Sequence, residues 1–454
     1  MQTTPAPVAA KSRVISLDII RGFALLGILG PNIVVFAWPS AAMYGAEGMG
    51  RAAEVMGAEP HLVANQVSHM VVQTFFLGKM MLLFSLLFGA GIVMYSRKFP
   101  TRAQCDRCGH DLGGSAEGEP CPECDSTVRA PRKLTDGAAL WYQRCGWLLI
   151  IGLVHAYGLW FGDILVWYAT AALGMVWWVR RLSVRWQMVL GTGLYLFGAA
   201  VMLLIMGVMI WTHHEGKHDI FATIGDELNA YRGGFVPAMV ARFWMLLMMH
   251  VIMLPFTFFW MASGMFIWGM ALTRTGVLTG ERSSAFYAKL GVGSLLLGLL
   301  LTVGTILLLE LPEVELIELL FQATAQLLGA PISIGYACLL IWIYKKGLLR
   351  PVTTALGAIG RMAMSNYLLQ TLLCTTFFYG YGLGYYGEIQ YPQLWLVVVS
   401  VWAINIVFSL LWLRRFRFGP AEWAWRSLTY FRLQPLLKAR PTESVAASPA
   451  DPPA

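Results

Sequence analysis

Apolar residues in this chain fall in runs of about twenty, repeated from one end to the other and separated by short polar stretches. A helix of that length spans the ~30 Å hydrocarbon core of a bilayer, so such runs predict membrane-spanning helices. About ten are found, centred near Leu26, Leu83, Ile150, Leu173, Phe197, Phe256, Leu299, Tyr336, Leu369 and Val401. The expected fold is therefore all-α: a polytopic helical membrane bundle of about ten transmembrane helices.

The basic residues between the runs orient them. Lys11, Arg13, the Arg97 to Lys133 segment, Arg180, Arg181, Arg185, Arg274, Arg282, Lys289, Lys345, Lys346, Arg350, Arg361 and the Arg414 to Arg440 stretch alternate onto one side. The opposite loops carry only Arg51, Lys217, Arg232 and Arg242, beside acids such as Glu310, Glu313, Glu315 and Glu318. The positive side is expected to be cytoplasmic, with both termini inside. The basic start followed by an apolar run resembles a signal peptide, but Asp18 and Arg21 inside it and the absence of a small-residue cleavage site predict a retained helix. Residues 1–13 then form a cytoplasmic segment, 14–96 the first two spans, 97–136 a cytoplasmic insertion, 137–440 the remaining bundle, and 441–454, rich in Pro, Ser and Ala, a disordered tail.

Composition sharpens this class. Of 454 residues 57% are hydrophobic and only 13% charged, against roughly 25% charged in soluble domains, which excludes an ordinary soluble fold. The net charge of +8 raises the question of a nucleic-acid partner. Its basic residues sit at the ends of apolar runs, so they signal topology, and no nucleic acid is expected. The 46 glycines suit helices that approach closely in lipid.

One segment departs from the bundle. In CDRCGHDLGGSAEGEPCPECD, Cys105, Cys108, Cys121 and Cys124 make two Cys-x-x-Cys knuckles, the spacing of a zinc ribbon with a closed, tetrahedral, structural Zn site. A disulfide pair or a redox switch is the alternative, and a cytoplasmic side disfavours disulfides. So short a ribbon takes most of its folding energy from the metal. Its role is partner binding, bracing of the loop, or none beyond a tolerated insertion. Cys145, Cys338 and Cys374 lie in apolar runs and read as buried packing residues.

A charge in hydrocarbon costs at least ~2.5 kcal/mol, so each ionisable group inside a span needs a partner or a cavity. Asp18 and Arg21 lie three apart with Asn32 on nearly the same helical face, forming either an ion pair at the inner interface or a polar stripe, unless Pro31 kinks Asn32 away. Lys79, in FFLGKMMLLFSLLFG, lies ~12 Å below the outer end of its span. It is either bridged to a carboxylate such as Asp163 or available to a substrate. His155, in GLVHAYGLWFGDIL, lies near the outer end of the third span with Asp163 just beyond; it is either a satisfied core histidine or a base oriented by that carboxylate. His250 has a weaker claim. Asn366 and Gln370, four apart on one face of the ninth span, are placed for interhelical hydrogen bonds.

These segments also carry a resemblance. LDIIRGFALLGILGPNI, GKMMLLFSLLFGAG, GLVHAYGLWFGDIL and the carboxyl-terminal AMSNYLLQTLLCTTFFYGYGLG and WLRRFRFGPAEWAWRSLTY resemble the YeiB-like family of bacterial polytopic membrane proteins, domain of unknown function 418. The carboxyl-terminal motif is the most specific part, and the zinc-ribbon insertion departs from the usual pattern. That family is distantly similar to transmembrane acyltransferases, including the heparan-glucosaminide acetyltransferase type. The resemblance implies a multi-pass protein of the bacterial inner (plasma) membrane. It also implies an acyltransferase-like activity that moves an acyl group from a cytosolic donor such as acyl-CoA to an extracytoplasmic envelope acceptor.

On this reading Asp18, Arg21, Asn32, Asn366 and Gln370 bind substrate, with Arg21 on an anionic donor head group. His155 deprotonates the acceptor hydroxyl, Asp163 fixes its tautomer, and Lys79 stabilises the developing oxyanion. The alternatives are a transporter of a small metabolite or lipid precursor, in which the same groups line an alternating-access path, and a membrane scaffold or sensor acting through its ribbon.

Overall fold

The computed structural model describes residues 14–43, 45–57, 63–96, 120–121, 123–125, 134–174, 176–214, 223–309 and 329–438. The 1–13 segment, the 441–454 tail, and Cys105 and Cys108 with most of the 97–136 insertion lie outside them. The described chain is helical and contains no β-strand. In order the helices are α1 (Ile15–Ala37), α2 (Gly45–Val55), α3 (Val63–Phe75), α4 (Lys79–Ser96), α5 (Leu134–Gly158), α6 (Leu165–Leu173), α7 (Val176–Val179), α8 (Val184–His214) and α9 (Ile224–Arg232). They continue with α10 (Phe235–Met248), a π-helical segment (Met249–Phe258), α11 (Phe259–Arg274), α12 (Ser284–Leu309), α13 (Gly329–Lys345), α14 (Arg350–Arg361), α15 (Ala363–Phe378), α16 (Tyr391–Arg415) and α17 (Pro420–Thr429).

Seven helical stretches among the described residues are long and apolar enough to cross a membrane: Ile15–Ala37, Val63–Ser96, Gly137–Gly158, Val184–Ile205, Phe235–Arg274, Ser284–Thr302 and Tyr391–Arg415. The protein is a multi-pass membrane bundle. The three other expected centres, Leu173, Tyr336 and Leu369, fall on the shorter helices α6, α13 and α15. Their neighbours enclose much of each, and polar side chains such as Ser333, Asn366, Gln370 and Thr371 are buried there. The outer helices invert the soluble pattern: Leu196 and Leu204 of α8, Leu296 and Leu300 of α12, and Leu396 and Val407 of α16 are exposed, as lipid-facing positions should be.

Glycines set the closest crossings. A Cβ added at Gly22 of α1 would stand 2.0 Å from Leu356 O of α14, and one at Gly360 of α14 would stand 1.9 Å from Asp18 O. Gly89 of α4 and Gly269 of α11 interlock in the same way, 1.9 Å from Phe266 O and 2.0 Å from Leu86 O. Without a Cβ on either side the backbones meet directly, the means by which membrane helices gain packing where no hydrophobic effect drives them together. Around these crossings α1 packs against α4, α13, α14, α15 and α16 and forms the centre of the bundle.

Two continuous apolar runs are not continuous α-helices. The run near Leu83 breaks after Phe75, with Gly78 in the left-handed region (φ 74°), a conformation glycine adopts at little cost. The run near Phe256 widens into the π-segment around Pro255, which lacks a backbone N–H to donate.

The two ends of the bundle differ. At the basic end Ser16 Oγ donates to Leu278 O (3.2 Å) and Lys345 Nζ to Gly280 O (2.7 Å). There α17 closes on α15: Glu422 Oε1 accepts the Met364 N–H (2.7 Å) and the Ser365 N–H (3.3 Å), and Oε2 accepts the Ser365 hydroxyl. A carboxylate at a helix N-terminus takes up donors that have no partner within the helix. At the opposite end Trp38 Nε1 donates to Ile389 O (2.8 Å), Gly380 N to Tyr231 O (2.8 Å), and the Ser40 N–H and hydroxyl to Glu227.

Candidate functional site

Helix α5 ends at Gly158, and the connector Leu159–Ile164 leads into α6. The amides of Leu159 and Trp160 both return to His155 O, at 2.9 and 3.1 Å, which closes the last turn and holds the histidine at the helix end. Asp163, at the far side of the connector, uses Oδ1 to accept the Val166 N–H (2.7 Å) and so caps the first turn of α6. Its Oδ2 is left for His155 Nδ1, 2.6 Å away.

His155 Nε2 lies 2.9 Å from Thr371 Oγ1 on α15. In the neutral tautomer that donates Nδ1–H to the carboxylate, Nε2 carries the lone pair and accepts the Thr371 hydroxyl proton, in competition with Tyr367 O at 3.4 Å. Asp163, His155 and Thr371 thus form a continuous chain of carboxylate, imidazole and hydroxyl. All three are buried. Tyr367, one turn before Thr371, packs its ring 5.1 Å from the imidazole. Its hydroxyl donates to Gly162 O (3.2 Å) and accepts from Ile164 N (3.3 Å), fixing the connector to α15.

The other candidates are distributed more widely. Asp18 is buried and pairs with Arg21 at 3.1 Å, three residues on, as an ion pair at the basic end requires. Asn32 is half-buried on α1. Asn366 Nδ2 donates to Ser409 Oγ of α16 (2.8 Å), and Gln370 Nε2 to Leu25 O of α1 (3.3 Å), so both amides join helices. Lys79 is fully buried, yet its ammonium donates to Gln73 O at 2.6 Å, across the break between α3 and α4. No bond joins it to His155 or Asp163 among the described residues. His250 meets the Tyr157 hydroxyl at 3.2 Å. Cys145, Cys338 and Cys374 are buried.

Sequence reasoning missed three participants. Thr371 shares α15 with Asn366 and Gln370, and that polar stripe was the available signal. Arg242 belongs to no loop: it lies inside α10 in FVPAMVARFWMLLM, fully buried, donating to Leu159 O (2.6 Å) and Gly158 O (3.3 Å) at the end of α5. Glu227 on α9 is the third. Burial pushes its carboxyl up from the ordinary range, partly opposed by its hydrogen bonds to Ser40 and Tyr386.

Among the described residues no group of three or more His, Cys, Asp or Glu side chains converges as a metal site would require. Cys121 and Cys124 flank a tight turn: Asp125 N donates to Cys121 O at 2.8 Å, and Asp125 is left-handed (φ 57°). A turn of this kind suits two thiolates directed at one ion.

The carboxyl-terminal region matches a family described as "Protein of unknown function (DUF418)" over residues 272–432, from the end of α11 to beyond α17. The uncharacterized protein YxaH of Bacillus subtilis (strain 168) is 27% identical over 445 residues, covering 95% of this chain and 98% of its own length. The uncharacterized protein YeiB of Escherichia coli (strain K12) is 30% identical over 432 residues, covering 92% of this chain and 96% of its own length. The chain belongs to the YeiB-like DUF418 family. Thr371, Glu422 and the α15–α17 closure fall within the region matched to DUF418, and His155 and Asp163 precede it. No solved structure matches the chain.

Proposed function

We propose that this DUF418 protein is a transmembrane acyltransferase-like enzyme that passes an acyl group from a cytosolic thioester donor such as acyl-CoA to a hydroxyl acceptor outside the cytoplasm. The observation that carries this reading is the Asp163–His155–Thr371 chain, with its 2.6 and 2.9 Å links. A hydroxyl hydrogen-bonded to an imidazole that a carboxylate orients is the arrangement of an activated nucleophile. As Thr371 Oγ1 attacks the thioester carbonyl, its proton passes to His155 Nε2. The C–O bond forms, the C–S bond breaks, and the leaving thiolate takes the proton. The acceptor hydroxyl then repeats the step in reverse, giving its proton to His155 and freeing Thr371. Placing the acylated residue inside the bundle lets donor and acceptor use different ends.

The basic end is the cytoplasmic one in this scheme, and Arg21, paired with Asp18 there, is placed for an anionic donor. Asn32, Asn366 and Gln370 line the helices that separate the two ends. Lys79, whose ammonium donates to Gln73 O across the α3–α4 break, keeps two further N–H donors, which in this scheme would serve the oxyanion. The insertion, in the same scheme, folds on one zinc held by Cys105, Cys108, Cys121 and Cys124, a structural role that leaves the bundle chemistry to this chain's own side chains.

The test is incubation of the purified protein with radiolabelled acetyl-CoA in proteoliposomes, followed by mass spectrometry for an acyl ester at Thr371. The ester is expected in the parent and in Thr371→Ser, and absent in Thr371→Val. The broken α3–α4 run and the π-segment favour a second reading as a transporter, because discontinuous helices line transport sites. Uptake of a labelled solute with no acyl ester would replace the first reading with the second.

A further inference from the structure

At the end of the bundle opposite the basic one, several hydrogen-bond donors near a buried charge lack an acceptor among the described residues. Arg242 is fully buried, spends Nη1 and Nη2 on the Leu159 and Gly158 carbonyls, and keeps an Nε–H with no acceptor among the described residues. Among the described residues no carboxylate pairs with it. The Trp160 indole N–H and the Tyr379 and Tyr381 hydroxyls likewise have no partner among the described residues. Trp160 and Tyr379 are almost wholly buried.

Arg242 and the two tyrosines are linked through Phe235. The Arg242 guanidinium lies 5.7 Å from the Phe235 ring, which lies 5.4 Å from Tyr381, itself 5.6 Å from Tyr379. Trp160 follows Leu159, whose carbonyl Arg242 holds. Glu227 is the acid of this region, yet its oxygens are occupied by Ser40 and the Tyr386 hydroxyl. It therefore supplies no hydrogen bond to the orphaned donors.

A buried guanidinium with orphaned N–H and O–H groups around it is unfavourable until something brings both negative charge and oxygen acceptors. A neutral sugar hydroxyl brings no charge, and an amine brings the wrong sign. We infer that Arg242, Tyr379, Tyr381 and Trp160 form a binding site for an oxyanion, the carboxylate or phosphate of a small soluble ligand. Tyr381 is the half-buried member of the set. The site goes beyond the acyl-transfer reading, since it lies across the connector from His155 and its binding can be measured without any turnover.

The experiment is thermal unfolding of the purified full-length protein in detergent, titrated separately with succinate and with inorganic phosphate against sodium chloride at matched ionic strength. One of the two oxyanions is expected to raise Tm saturably, which also separates a carboxylate ligand from a phosphate one. Tyr379→Phe and Tyr381→Phe should each weaken that binding by about 5-fold or more while leaving the ligand-free Tm unchanged, because the removed hydroxyl has no partner to lose. Three results would overturn the inference: no saturable shift beyond chloride, an affinity unaltered in both variants, or a lowered ligand-free Tm in Tyr379→Phe. The last would show the hydroxyl already bonded to an ordered water.

Discussion

Glu422 caps the first turn of α15 with three donors, yet burial, the largest influence on it, raises its carboxyl above the ordinary 4.5. The folded protein therefore holds a proton that the unfolded chain releases as pH climbs past 4.5, and stability falls as pH rises through that interval. Glu422→Gln can keep the same bonds, with its carbonyl accepting from Met364 and Ser365 and its amide donating to Ser365 Oγ. Its Tm is expected to depend less on pH than that of the parent between weakly acid and neutral solution; equal slopes would assign the dependence to another group. His155→Ala should reduce acyl transfer roughly 100-fold or more, the scale of a lost general base. It should also lower Tm, since Asp163 Oδ2 loses its imidazole partner and the Thr371 hydroxyl keeps only its 3.4 Å bond to Tyr367 O. Transfer normalised to folded protein separates the two losses, and an unchanged normalised rate would leave His155 a packing residue. Single residues were unequally legible in the sequence. The His155–Asp163 pair was visible because one short connector separates its members. Thr371 was harder to see, because it comes from a distant helix and only the neighbouring amides Asn366 and Gln370 point to it. Arg242 reads as a loop charge in the sequence because its partners are backbone carbonyls, which no residue letter records.

At the scale of elements, the glycine interlocks make a sharp contrast within one helix. Gly89 of α4 faces the backbone of α11, whereas a Cβ at Gly91, two residues on, meets nothing within 4 Å. Gly89→Ala should cost ~1–3 kcal/mol through overpacking against a carbonyl that cannot step aside. Gly91→Ala should be neutral or stabilising by up to ~1 kcal/mol through helix propensity. Thermal unfolding of the two variants in one detergent checks the difference, and similar losses in both would mean that α4 and α11 do not interlock here. Run length made the helices readable, since a twenty-residue apolar stretch has few other stable forms in lipid. It hid the break at Gly78 and the π-segment, because hydropathy stays high through both while only backbone geometry changes. The enclosure of α6 was equally invisible, for a run buried in protein and a run bathed in lipid carry the same apolar letters.

For the whole molecule, the alternation of basic residues predicts that both termini and the 97–136 insertion face the cytoplasm. A cysteine engineered near Ser115 should resist membrane-impermeant reagents in intact cells and react after permeabilisation; labelling from outside would reverse the topology. Metal analysis of the purified protein should find one zinc per chain, lost in the Cys105→Ser, Cys108→Ser double variant while the bundle still assembles. Unchanged zinc content would exclude this ligand set. The unequal lengths of α6 and α8 bear on how the protein sits in membranes of different thickness. The nine residues of α6 rise only about 14 Å, under half of the ~30 Å hydrocarbon core, and most of them face protein. The 31 residues of α8 rise about 46 Å and present apolar side chains outward along much of that length. Hydrophobic mismatch therefore falls on the rim: a thinner bilayer tilts α8 and its exposed neighbours, while α6, enclosed by protein over most of its length, keeps the spacing of the side chains it carries.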